Sequence, residues 1–164
     1  MSVLKHPFSP VFNSNSKILI LGSFPSIKSR ADGFFYGNPQ NRFWKIISKI
    51  TNNQLPTNII EKKNLLLNNH IALWDVIKFC DIESSKDSSI RNVTPNDLSV
   101  ILNSSNIHII YTNGNMAYNL YIKYLKNIYN INIQKLPSTS PANASVHFEK
   151  LFEIWNDALK YYLN

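Results

Sequence analysis

Four short apolar runs constrain this chain more than any other feature. They are "KILILG" (17–22), "HIALWDV" (70–76), "NIHIIYTNG" (106–114) and "INIQKLPS" (131–138). A strand with one wet face alternates apolar and polar residues, whereas a run this apolar belongs to a strand covered on both faces. The stretches between the runs carry helical spacing. "QNRFWKIISKI" (40–50) puts Phe43, Trp44, Ile46, Ile47 and Ile50 on one face. "NMAYNLYIKYLKNIY" (115–129) and "SVHFEKLFEIWNDALKYYL" (145–163) repeat the i, i+3/i+4 pattern. "TPNDLSVILN" (94–103) reads as a further helix, with Thr94 as N-cap and Pro95 at its first position. Strands alternating with helices in this rhythm predict an α/β fold of three layers, α/β/α, around a central, mostly parallel four-stranded sheet. No repeat, low-complexity tract or linker interrupts the 164 residues, so a single domain over 1–164 is expected.

In an open parallel sheet, ligands bind at the carboxyl ends of the strands. The segments after the four runs, "SFPSIKSR", "DVIKFCDIESSKDSS", "NGN" and "PSTSPANAS", are polar and rich in turn residues. The four glycines, at 22, 33, 37 and 114, read as lying at or beside these ends, which places the expected site there. Charge adds a class of partner. Residues 1–60 hold seven basic side chains against the single acidic Asp32, whereas 61–164 hold ten against nine, for a net charge of +7. A basic excess so placed suits a polyanion, whose phosphates give sequence-independent affinity. No apolar run reaches the roughly 18 residues of a membrane helix. The start, "MSVLKHPFSPVF", has no apolar core of a secretory signal. A cytoplasmic monomer with no membrane partner is expected.

Motifs narrow the chemistry further. Neither GxGxxG nor GxxxxGK[ST] occurs, so no nucleotide cofactor is expected. Cys80 is alone, and His6, His70 and His147 are scattered without metal-ligand spacing, so no metal is expected either. His108 reads as a packed residue inside a strand. "GSFPS" (22–26) carries Phe where a nucleophile elbow needs Ser. It reads better as a tight turn presenting Phe24 between the hydroxyls of Ser23 and Ser26. An aromatic on such a turn, beside a basic segment, can stack on a nucleobase. "GFFYGNPQNRFWKII" (33–47) crowds rings, glycines and neutral amides together without a carboxylate. "PSTSPAN" (137–143) is a proline-stiffened loop whose hydroxyls can meet phosphates without charge.

In this order, "ILILGSFPSIKSR", "GFFYGNPQNRFWKI", "IALWDVI", "SSKDSSI", "TNG" followed by Ala, and "LPSTSPANA" resemble the uracil-DNA glycosylase superfamily. The resemblance is closest to its hypoxanthine-DNA (DNA-deoxyinosine) glycosylase branch, with the thymine/mismatch-specific enzymes more distant. It implies a DNA repair hydrolase whose partner is DNA carrying deaminated bases: hypoxanthine first, with uracil or xanthine as alternatives. Such an enzyme flips the base into a pocket and hydrolyses the N-glycosidic bond, leaving an abasic site. The implied base pocket comprises Gly22, Ser23, Phe24, Pro25, Ser26, Tyr36 and Asp75. Phe24 would stack on the base, while Asp75 and backbone N–H groups of 23–26 would read its edge.

The mismatch-specific enzymes hold a catalytic Asn where this chain has Phe24, so the resemblance passes that role to Asn41 of "PQNRFW". The branch usually reads "YGHPQN", and here Asn38 replaces the His. Asn38 therefore stands as the alternative to Asn41. The implied DNA contacts are Ser85, Lys86, Ser88, Asn113 and Gly114 on the backbone, Ser138, Thr139 and Ser140 in the minor groove, and Arg42. No lysine is obviously placed for a Schiff base, so a monofunctional enzyme is expected. Two other classes stay open. A non-catalytic nucleic-acid-binding domain would keep the charge and Phe24 without needing Asn41. A Ser-based hydrolase would use Ser23 or Ser26 and recruit His108 or His147.

Overall fold

In the computed structural model, which describes residues 2–83 and 89–163, the elements run β1 (Ser2–Lys5), β2 (Ile18–Gly22), α1 (Ile27–Asp32), α2 (Phe43–Ile50), α3 (Ile59–Asn68), β3 (Ile71–Asp75), β4 (Ile77–Ile82), β5 (Arg91–Pro95), α4 (Ser99–Leu102), β6 (Ile109–Asn113), α5 (Asn115–Tyr124), β7 (Asn132–Leu136) and α6 (Phe148–Leu163). The four apolar runs are β2, β3, β6 and β7, and they form one parallel sheet in the order β3-β2-β6-β7. Successive side chains leave opposite faces of a strand. Ile18 and Ile20 join the cluster built with Phe43 of α2, Leu66 of α3 and Trp155 of α6. Leu19 and Leu21 join the cluster with Ile101 of α4 and Tyr121 of α5. The expected three layers follow from that alternation. The edge strand β7 is the exception, for Asn132, Gln134 and Lys135 lie exposed. Among the described residues no helix is long and apolar enough to cross a membrane.

Three elements depart from the sequence reading. The segment after β3, read as a loop, continues after Val76 into β4, which pairs antiparallel with both β1 and β5 in a second sheet. Thr94 and Pro95 do not open a helix; they close β5, and α4 begins only at Ser99. Asp97 serves that start instead, its Oδ1 accepting from Ser99 N at 2.9 Å. The helix α3 was not anticipated, although its capping residues are local. Asn58 Oδ1 accepts from Glu61 N at 2.8 Å, and Asn58 Nδ2 donates to Glu61 Oε2 at 3.0 Å. His108 is exposed just before β6 and stacks on Tyr162, with ring centroids 6.1 Å apart, rather than packing inside a strand. Gly33 closes α1 rather than marking a strand end.

The amino-terminal segment is laced onto the sheets. Val11 and Leu73 exchange backbone hydrogen bonds of 2.9 Å each, and His6 N donates to Lys78 O at 2.8 Å. This path carries residue 6 across the end of β3.

Trp155 is fully buried, packs edge-on against Phe43, and donates its indole N–H to Pro137 O at 2.9 Å. Trp155→Ala should therefore cost about 3–5 kcal/mol of unfolding free energy. The exposed Val100 supplies the control, since Val100→Ala should change stability by less than about 0.5 kcal/mol. Urea denaturation of the two variants measures both.

Candidate active site

β2 and β3 pair so that Gly22 stands opposite Asp75. A Cβ on Gly22 would lie 2.5 Å from Asp75 Oδ1 and 3.0 Å from Tyr36 Oη, so only glycine lets these two groups close in. Around them, at the carboxyl ends of β2, β3 and β6, is a cavity of about 440 Å³. The turn 22–26, Tyr36, Asn38, Asn41, Asp75, Asn113 and the loop residues 138–140 all line it, and Ile82 of β4 adds to one wall. The cavity thus gathers the residues expected for base recognition and both candidate amides.

The carboxylate of Asp75 is buried, and its Oδ2 accepts from His6 Nε2 at 2.7 Å. Phe8 N lies 3.1 Å from His6 Nδ1 and Phe8 O lies 3.0 Å from it; in the tautomer where Nδ1 accepts from Phe8 N, the ring's proton sits on Nε2 and is donated to Asp75. Tyr36 adopts φ 53°, a left-handed backbone unusual for a tyrosine. Its ring stacks on Phe43 with centroids 4.2 Å apart and 25° between planes. The phenol oxygen is shielded from solvent and has no hydrogen-bond partner among the described residues. Asn113 lies nearby and gives one Nδ2 hydrogen to Thr139 Oγ1 at 2.9 Å; its second hydrogen can meet only a lone pair of the phenol oxygen, so the phenol O–H stays free to donate. Burial, and then the charge of Asp75, push the Tyr36 phenol well above the usual tyrosine range, so it stays a donor.

The two amides are held alike. Asn41 Oδ1 accepts from Phe43 N at 2.9 Å, and Asn38 Oδ1 accepts from Gln40 N at 2.9 Å. Each carbonyl keeps a second lone pair. They differ in their footing: Asn41 leads into the buried Phe43 and Trp44 of α2, whereas Asn38 is followed by the exposed Pro39 and Gln40. Ser26 is occupied as the N-cap of α1, its Oγ accepting from Ser29 N at 3.1 Å.

The residues expected on DNA separate into different environments. Arg42 does not line the cavity. Its guanidinium donates to the carbonyls of Val146 (2.5 Å), Ser140 (2.9 Å), Asn143 (3.1 Å) and Thr139 (3.4 Å), so it is spent on shaping the loop. Thr139 is fully buried, tied by its backbone N and Oγ1 to the amide of Asn113, and anchors the loop whose neighbours Ser138 and Ser140 are half-exposed. Gly114, at φ 97°, allows Ser138 to approach; a Cβ there would lie 3.1 Å from Ser138 Cβ. Ser85, Lys86 and Ser88 lie outside the described residues.

Two side chains at the site were not anticipated. His6 reaches Asp75 across 69 positions of sequence, which no local pattern encodes. Arg30 lines the cavity with its guanidinium carbon 5.7 Å from the Phe24 ring centroid, and its Nε is buried without a partner among the described residues. Its place in the basic first third of the chain was the available signal. Among the described residues, no group of three His, Cys, Asp or Glu side chains is arranged to hold a metal.

Gly22→Ala should push Asp75 away from His6 and cost about 1–3 kcal/mol, read by urea denaturation. Arg42→Lys cannot serve four carbonyls with one ammonium. It should speed amide hydrogen exchange over 138–146 while leaving exchange in β2 and β6 unchanged.

Comparison with known proteins agrees with this geometry. The family profile of the Uracil DNA glycosylase superfamily matches residues 9–160. A Hypoxanthine DNA glycosylase of Methanosarcina acetivorans is 36% identical over 143 residues, covering 86% of this chain and 89% of the relative. A Hypoxanthine DNA glycosylase of Methanosarcina barkeri is 34% identical over 112 residues, covering 67% and 71%. The solution NMR structure of a Methanosarcina acetivorans protein, described as a candidate uracil DNA glycosylase, superposes with a TM-score of 0.82 at 31% identity over 98% of both chains. With its parallel sheet, its strand-end cavity and a match over nearly its whole length, the chain belongs to the uracil DNA glycosylase superfamily.

Proposed function

We propose that this DNA glycosylase excises deaminated bases, hypoxanthine foremost, by water attack on the N-glycosidic bond, leaving an abasic site. The observation that carries the reading is a single cavity holding a stacking ring, a buried carboxylate and two fixed amides. The two relatives named as hypoxanthine DNA glycosylases support the choice of base. As the C1′–N bond breaks, its electron pair leaves on the base and the sugar takes on positive charge. Phe24 stacks on the extruded base, and Asp75 meets its edge. Asn41 orients the water that bonds to C1′ with the free lone pair of its side-chain carbonyl, a task of positioning rather than proton abstraction. The proton that water sheds passes to the departing base anion or to solvent. Asn41 is preferred over Asn38 because its footing on α2 is buried, and a positioning group works only as well as its support is rigid.

Single-turnover base release from oligonucleotides bearing deoxyinosine, deoxyuridine, deoxyxanthosine or normal bases, in single and double strands, tests the reading. Deoxyinosine should be released fastest, and binding with no abasic product from any substrate would sink it. Asn41→Ala should slow release about 10²- to 10³-fold, with Asn38→Ala the milder change. Loss in Asn38→Ala alone, with both variants folded, would move the role to Asn38.

A further inference from the structure

The cavity floor holds a donor and an acceptor that the fold itself leaves unused. Tyr36 Oη is out of solvent without a partner among the described residues. An unpaired buried hydroxyl is costly, and so is a left-handed tyrosine backbone. The stack on Phe43 holds the ring in place despite both. Asp75 offers the counterpart. His6 occupies its Oδ2, whereas Oδ1 takes no hydrogen bond from the described residues. The position where a Gly22 Cβ would stand is 2.5 Å from that Oδ1 and 3.0 Å from Tyr36 Oη, so the two oxygens lie side by side, on two residues that both line the cavity.

We propose that Tyr36 and Asp75 together read a ring N–H beside a carbonyl, with Tyr36 donating to the carbonyl and Asp75 accepting from the N–H, and that His6 is the residue that positions Asp75 for this. The proposal rests on the glycosylase reading above and gives it a chemical criterion. Hypoxanthine presents this lactam edge at N1–H and C6=O, and uracil presents it at N3–H and C4=O. Adenine and cytosine present the reverse, a bare ring nitrogen beside an amino group, and would set a lone pair against the carboxylate. His6 matters because a carboxylate with one oxygen tied down cannot turn to suit the other pattern.

The test compares three duplexes carrying deoxyinosine, N1-methyl-2′-deoxyinosine, which lacks the N–H, or 2′-deoxynebularine, which lacks both groups. N1-methylation should slow single-turnover release by the wild-type chain about 10- to 100-fold. Tyr36→Phe should slow deoxyinosine release by a similar factor, about 10- to 100-fold. It should leave nebularine release within about 2-fold of wild type, since nebularine offers no carbonyl to lose. His6→Leu should erase the penalty for N1-methylation, and His6→Gln, which keeps an N–H donor, should restore part of it. Equal slowing of deoxyinosine and nebularine by Tyr36→Phe would overturn the proposal, as would a wild type indifferent to N1-methylation. If the wild type releases no base from any duplex, the glycosylase reading fails instead. The pair is then judged by chemical-shift titration with free hypoxanthine and 1-methylhypoxanthine. Binding of the first alone supports it, and equal binding or none overturns it.

Discussion

A buried carboxylate governs the arrangement of this molecule. Asp75 ends β3 with almost no exposed surface, and a charge so placed needs a partner. The partner is His6, and the demand for it explains the course of the first residues. β1 pairs with β4, residues 6–11 cross the end of β3, and Val11 bonds Leu73 before the chain enters the core at β2. The second sheet is the frame that delivers a histidine to the carboxylate at the cavity wall. Gly22 completes the arrangement by leaving room on the other side of the carboxylate.

Sequence reasoning reached the parts of this design that are local or periodic. The strands β2, β3 and β6 were legible because burial on both faces writes an unbroken apolar run, and α2 and α6 because one buried face writes a helical spacing. The second sheet was not legible. Its strands mix Lys, Asp and Asn with apolar residues, and their pairing joins residue 2 to residue 82, a match of distant segments. The misread of Thr94 and Pro95 has the same origin, since the pairing with β4 overrides a good local helix signal. At the site, the turn at 22–26 and the amides at 38 and 41 were found, and the cavity unites them. Arg42 was expected among the DNA contacts, but four loop carbonyls hold it. A cation's partner is a matter of tertiary geometry.

The cavity's polar groups divide by how firmly each is held. Asn113, Thr139 and Ser26 are bonded within the protein, and they fix the shape of the surrounding loops. Asn38 and Asn41 each give one lone pair to the backbone and keep one. Tyr36 gives nothing, and Asp75 gives one oxygen of two. Capacity left over in a buried, otherwise satisfied structure is capacity available to a ligand.

The position of His6 also bears on where the functional unit begins. The family match starts at residue 9, three positions beyond it. A chain cut at that boundary would keep every strand of the parallel sheet, both helical layers and each amide of the cavity. It would lose β1 and the histidine, and Asp75 would remain as a buried carboxylate without its counterpart. The eight residues ahead of the matched span therefore carry the hydrogen-bond partner of the carboxylate that lines the cavity.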